Sequence, residues 1–180
     1  MVFILKCIYL MLPGIFANMT PVLVRKINLF NYPVDLNKKW IDGEPILGSH
    51  KTWRGLILGI LAAVGVVAIQ KQLLQFEAFD NITLFPYQEH SVWLTGFVIG
   101  FGVLFGDMVK SFFKRRVKIK PGDKFIPWDQ TDAVLGGLVF ISFLWIPPWS
   151  VIVTLILLSF FLHIIIRHLG YYLKINKKKW

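Results

Sequence analysis

Cysteine is almost missing. Cys7 is the single cysteine in 180 residues, which excludes an intramolecular disulfide and a cysteine-based zinc site. It lies in an apolar segment and reads as inert packing. Acids are scarce too, 10 Asp+Glu against 20 Lys+Arg, giving a formal charge of +10. A charge of that sign suits nucleic acid, but no polar stretch is long enough to fold a nucleic-acid module. Phosphate-bearing lipids, nucleotides and the anionic leaflet are the better partners. Internal repeats are absent, and low complexity is confined to the terminal "KKK", so residues 1–180 are expected to form a single domain.

Apolar residues are what the chain has in excess. It is 56% hydrophobic and 16% aromatic with a mean hydropathy of +0.61, more than an ordinary soluble domain of this length buries. An all-α integral membrane protein is expected. Apolar runs near the roughly 20 residues of a spanning helix fall at about 3–24, 54–72, 91–110, 127–146 and 150–167. The first is expected to be a retained helix rather than a cleaved leader, since Lys6 interrupts its start, Pro13-Gly14 its middle, and no clear small-x-small site follows. The fourth fills a span only if Pro127 opens it, a position that suits proline.

The connections alternate in Lys/Arg content: six in 25–54, one (Lys71) in 71–90, seven in 110–124, none at Pro147-Pro148, and five after Ile166. By the positive-inside rule the N-terminus is outside, the C-terminus is cytoplasmic, and two substantial loops are cytoplasmic. Trp93, Trp145 and Trp149 then fall at the outer interface, Trp53 and Trp128 at the inner one. Gly55 and Gly59, and Gly96, Gly100, Gly102 and Gly106, have the spacing that lets membrane helices approach closely.

Charge gathers on the inner side. Asp107 ends the third apolar run, and Asp129 and Asp132 open the fourth, so all three acids share one depth. The last two are three apart and share a helix face, which suits a divalent ion held between carboxylates. The alternative is plain ion pairing with the neighbouring Lys/Arg. The run "KSFFKRRVKIKPGDK", read alone, is a topology-holding or lipid-touching stretch. However, its Pro121-Gly122-Asp123 turn folds it toward the acids, and the other cytoplasmic loop ends in "GSHKTWRG", a set of phosphate-oxygen donors without the P-loop spacing. His163 and His168 fit packing or capping in the last helix, and His90 is on the opposite side. His50 remains a candidate.

Asn18 with "TP", "GSHKTWRG", "GDMVKSFFKRR" and "KPGDKFIPWDQTDAVLGG" together resemble the CDP-archaeol synthase family, the archaeal branch of the phosphatidate cytidylyltransferase-like enzymes. Ser111, Lys114 and Arg115 match the start of the cytidylyltransferase signature, and Asp129 with Asp132 match its closing acid pair. Pro127-Trp128 stands where the bacterial and eukaryotic pattern has a His-Gly-Gly element, and Gln130 replaces an arginine; both favour the archaeal branch.

The resemblance implies cytidylyl transfer from CTP, with magnesium, to the phosphate of a glycerol bearing two ether-linked geranylgeranyl chains, giving CDP-archaeol and pyrophosphate. It implies a multi-pass enzyme of the cell membrane working at the cytoplasmic leaflet. Asp107, Asp129 and Asp132 would be metal ligands and, with Lys114, the catalytic set. His50, Lys51, Thr52, Ser111, Lys114, Arg115, Lys120 and Asp123 would bind CTP, while Asn18 and Arg54 are candidates for the lipid phosphate. Ser111 has a competing role as a capping or packing hydroxyl.

The rivals lack their own signatures. A CDP-alcohol phosphotransferase needs an Asp-Gly-x-x-Ala-Arg pattern, a prenyltransferase two aspartate-rich motifs, and a transporter polar groups near the midplane. Phosphatidate cytidylyl transfer on ester lipids is the nearest alternative, ahead of a non-enzymatic lipid-binding or transport role.

Overall fold

The computed structural model describes residues 2–119 and 123–172. Its elements are α1 (Val2–Leu23), continued by a 3-10 turn at Val24–Lys26, then α2 (Trp53–Leu73), a short α3 (Glu77–Asp80), α4 (Val92–Arg116), α5 (Trp128–Ile141) and α6 (Trp149–Tyr172). No strand forms among the described residues; two isolated bridges, Pro33 with Thr52 and Lys39 with Pro45, tie the first long loop to itself. Three helices, α1 through Lys26, α2 and α4, are long and apolar enough to cross a membrane, and α6 carries a shorter apolar stretch, Trp149–Ile165.

The first two helices keep the expected bounds to within a residue or so. The third does not stop at 110: α4 continues to Arg116, and half of the supposed basic loop is helix. It stays helical because Ser111, Lys114 and Arg115 turn inward and are buried, so packing and ion pairs hold them. The expected fourth span, 127–146, is too long. Proline does sit at its head, with Pro127 preceding Trp128, but α5 ends after 14 residues. There Ser142 turns its hydroxyl onto the Leu138 carbonyl at 2.7 Å, residues 142–144 form a turn, and Pro147-Pro148 cannot extend the helix. These 14 residues rise about 21 Å, short of the roughly 30 Å hydrocarbon core.

Trp145 is partly buried, edge-on to Phe85 with ring centroids 5.9 Å apart, whereas Trp93, Trp149, Trp53 and Trp128 are exposed. His90 also packs on Phe85, with ring centroids 5.3 Å apart, and its carbonyl accepts from Lys71 Nζ at 2.9 Å. In α6, His168 Nδ1 lies 2.8 Å from the Ile164 carbonyl, a local helix contact.

Helix α2 lies between α1 and α4, α5 covers another face of α4, and α6 closes against α5 and α1. Cys7 is fully buried in the main core with Leu10, Val67, Phe85, Ile99, Leu138 and Leu155, the packing role its surroundings suggested. Glycines set the closest approaches. A Cβ on Gly136 would stand 2.8 Å from the Gly106 Cα, and one on Gly102 would stand 2.9 Å from the Gly136 carbonyl oxygen. A Cβ on Gly106 would meet the Asp132 carbonyl. Side-chain-free backbone contact here brings α5 against the middle of α4.

The loop between α1 and α2 is folded by one buried carboxylate. Asp35 accepts from the N–H groups of Leu47 at 2.8 Å, Gly48 at 2.9 Å and Asn37 at 3.0 Å. Burial pushes its pKa up, but these donors outweigh burial and hold it below the ordinary carboxylate value. Arg116 clamps the loop to the end of α4, donating to the Pro45 carbonyl at 2.6 Å, pairing with Asp42 at 2.9 Å and lying 4.7 Å over the Phe112 ring. The loop therefore delivers Lys51 to α4.

Candidate active site

On α4, Asp107, Lys110 and Lys114 recur at i, i+3 and i+7 and share one face. That face meets the first turns of α5. The Lys110 ammonium lies 3.0 Å from Asp107 Oδ1, 2.9 Å from Asp132 Oδ2 and 3.4 Å from Asp129 Oδ1. Lys51 pairs with the other oxygen of Asp107. Lys114 bridges Asp129 at 3.2 Å and the Asp123 carbonyl at 2.5 Å. Asp129 is held further by the Phe125 N–H at 2.7 Å. The three acids anticipated from sequence do converge, drawn from two helices onto one cation. What sequence reasoning missed was that cation: Lys110 had been one of seven basic residues in a run assigned to topology.

The other candidates divide. Lys51 and Lys114 are in the cluster. Arg115 is buried one turn beyond Ser111, with its Nε unpartnered among the described residues. Thr52 caps α2, accepting from the Gly55 N–H at 3.3 Å, which leaves its own proton free to be donated. Ser111 donates to the Asp107 carbonyl at 2.8 Å, so its hydroxyl is spent on its own helix, the competing role already noted. Arg54 is buried and donates to the Ile27 carbonyl, tying α2 to the loop. His50 and Asn18 are exposed, with no part in the cluster. Asp123 contributes its backbone carbonyl to Lys114. Lys120 lies outside the described residues.

These residues fit a magnesium ion. Three carboxylates within 3.4 Å of one ammonium form an all-oxygen, hard donor set of the type magnesium takes. Among the described residues no three His, Cys, Asp or Glu side chains form a group that could hold a metal ion as it stands, and the Lys110 ammonium occupies the space between these carboxylates. Three lysines balance the three acids, so the cluster is charge-neutral as it stands.

A cavity of about 470 Å³ opens between α4 and α5, walled by Phe105, Phe113, Leu135, Val139 and Phe140. Lys110 and Asp132 are the charged residues in its wall. A cavity so largely apolar suits a molecule with an apolar body.

Apolar helices enclosing a carboxylate–lysine cluster beside a greasy cavity define an intramembrane enzyme of lipid chemistry. A solved structure described as an intramembrane enzyme for archaeal membrane lipids biosynthesis superposes with a TM-score of 0.72 at 30% identity, covering 91% of this chain and 93% of that one. The CDP-archaeol synthase of Archaeoglobus fulgidus is 31% identical over 182 residues, 98% of each chain, and that of Methanocaldococcus jannaschii 35% identical over 148 residues, covering 82% of this chain and 83% of the other. A family model described as CarS-like, CDP-archaeol synthase, matches residues 1–180. The chain belongs to the CDP-archaeol synthase family.

Proposed function

We propose that residues 1–180 form one membrane-embedded catalytic domain, which transfers the cytidylyl group of CTP to the phosphate of a di-geranylgeranyl-glyceryl ether lipid and releases pyrophosphate. The observation that carries this reading is the convergence of Asp107, Asp129 and Asp132 at the head of an apolar cavity. Asp107, Asp129 and Asp132 would hold magnesium, which when bound neutralises triphosphate charge as pyrophosphate departs. The lipid phosphate, with a second pKa of about 6, is already largely dianionic at neutral pH and needs no strong base. The protein's work is orientation and charge neutralisation. Lys51, Lys114 and Arg115 supply phosphate-oxygen donors on the loop side of the cluster, with Arg115 offering the planar fork that grips two oxygens at once. Phe105, Phe113, Leu135, Val139 and Phe140 receive the isoprenoid chains and keep water from the attacking oxygen. Thr52 and His50 lie at the end of the α1–α2 loop, beside Lys51, where they would flank the nucleotide.

In this reading α1, α2, α4, α5 and α6 make five membrane passes, N-terminus outside, with the cluster at the cytoplasmic leaflet of the cell membrane. In a Cys7→Ala background, a cysteine at position 80 is expected to react with an impermeant maleimide added outside intact cells, and one at 119 to stay unlabelled. External labelling at 119 would reverse the orientation.

Arg115→Ala and Lys51→Ala are each expected to weaken CTP binding by roughly ten- to a hundredfold, the value of a charge-assisted contact. Equilibrium binding of labelled CTP measures this. Wild-type affinity in both variants would return the two side chains to structural roles. The function as a whole is tested by incubating purified protein with labelled CTP, magnesium and either ether- or ester-linked lipid phosphates, and following label into the lipid phase. Preference for the ester substrate would replace the archaeal reading by the phosphatidate one.

A further inference from the structure

We propose that Lys110 is a built-in counterion, filling the carboxylate cluster until a divalent cation displaces it, and that its ammonium then swings into the α4–α5 cavity to meet the phosphate of the lipid substrate. The inference rests on reading Asp107, Asp129 and Asp132 as the metal ligands. Lys110 is the cation all three share, at 2.9 to 3.4 Å, and an ammonium has one proton for each. A hard divalent ion needs those same oxygens. Two cations cannot occupy one position, since like charges at such range repel strongly.

The residue type suits the exchange. Lysine carries a compact charge on a flexible four-carbon stem, whereas an arginine fork would lock the carboxylates in place. Its location suits the second half of the proposal. Lys110 lines the cavity wall beside Asp132, and Lys51 and Lys114 do not. The cluster is neutral with its three lysines in place, so a bare divalent cation would leave it positive. The anionic triphosphate of a nucleotide bound with the metal offsets that positive charge. Lys110 thus makes entry of the metal depend on the nucleotide, and readiness for the lipid depend on the metal.

The test uses full-length protein in detergent, with Mn²⁺ as a spectroscopic probe for the metal. First, wild-type protein is pulse-methylated with formaldehyde and cyanoborohydride, with and without Mn²⁺ and CTP, and modification of each lysine is read by mass spectrometry. Methylation of Lys110 is expected to rise severalfold when metal and nucleotide are present, while the exposed Lys26 is unchanged. Second, Lys110→Met is expected to bind Mn²⁺ about tenfold tighter than wild type without nucleotide, to show a raised KM for the lipid phosphate, and to keep its KM for CTP. Lys110→Arg should return Mn²⁺ affinity toward the wild-type value. Unchanged Lys110 methylation in wild-type protein that binds Mn²⁺ would overturn the counterion proposal and leave the metal site standing. No Mn²⁺ binding even with CTP would overturn both. Should Lys110→Met fail to fold, the wild-type methylation decides alone.

Discussion

Asp129→Asn and Asp132→Asn proteins are expected to remain folded in detergent and to lose turnover by roughly a hundredfold or more, because each change removes a charged metal ligand while keeping its shape. The two helix-α5 acids share a face, and both reach the central cation, Asp132 at 2.9 Å and Asp129 at 3.4 Å. Asp107→Asn should follow closely, since that carboxylate is shared between Lys110 and Lys51. Raising magnesium should partly rescue the mildest variant. If the acids serve only to neutralise the lysines, the outcome is different: the variants melt earlier, and residual activity does not depend on magnesium. Paired melting curves and magnesium titrations separate the two. Asp129→Asn and Asp132→Asn proteins that turn over CTP near the wild-type rate would end the metal reading.

The second large effect is expected at a residue with no side chain. Gly106→Ala should destabilise the protein by about 3 kcal/mol, the upper end of overpacking costs, because the new methyl meets the fixed Asp132 carbonyl rather than a movable side chain. Relief requires α5 to move away from α4, which also parts Asp132 from Asp107, so activity should fall with stability. Gly65→Ala is the control: its Cβ would meet nothing within 4 Å, and replacing a helical glycine by alanine stabilises by roughly 0.5–1 kcal/mol. Thermal melts and turnover of the two variants give the comparison. Equal stability of Gly106→Ala and wild type would show that the helix contact is looser than described.

The particular residues show why the sequence revealed the acids and hid the lysine. Asp107, Asp129 and Asp132 stand out because carboxylates at the edges of apolar runs are rare, and a three-residue spacing places two on one face. Lys110 sits in a run of seven basic residues in which any one satisfies the positive-inside rule, and only the approach of α5 distinguishes it. The same masking explains α4. Lys114 and Arg115 fall in the connection after the third apolar run, yet both are helical and buried, and composition does not tell a charge facing water from one facing a carboxylate. The end of α5 was hidden in the opposite way. Phe143, Leu144 and Trp145 are apolar enough to prolong a span, yet the chain leaves the helix in a turn at 142–144 ahead of Pro147-Pro148. Helices α1 and α2, whose apolar runs end at clear polar boundaries, were legible almost to the residue.

The brevity of α5 bears on the lipid around the enzyme. Helix α4 has 25 residues, about 38 Å of rise, and stands beside a helix of 14, so one flank of the protein is much lower than the other. In the proposed five-pass arrangement a bilayer would meet that uneven rim by thinning on the α5 side, a distortion that costs fractions of a kcal/mol per Å of mismatch. The α4–α5 cavity would then open on this thinned flank. A lipid phosphate arriving there would have less hydrocarbon depth beneath it and would reach the cluster without being lifted out of its leaflet. Membrane thickness then becomes a determinant of rate: reconstituted activity should fall as host lipids lengthen, even with the same substrate and the same amount of folded enzyme.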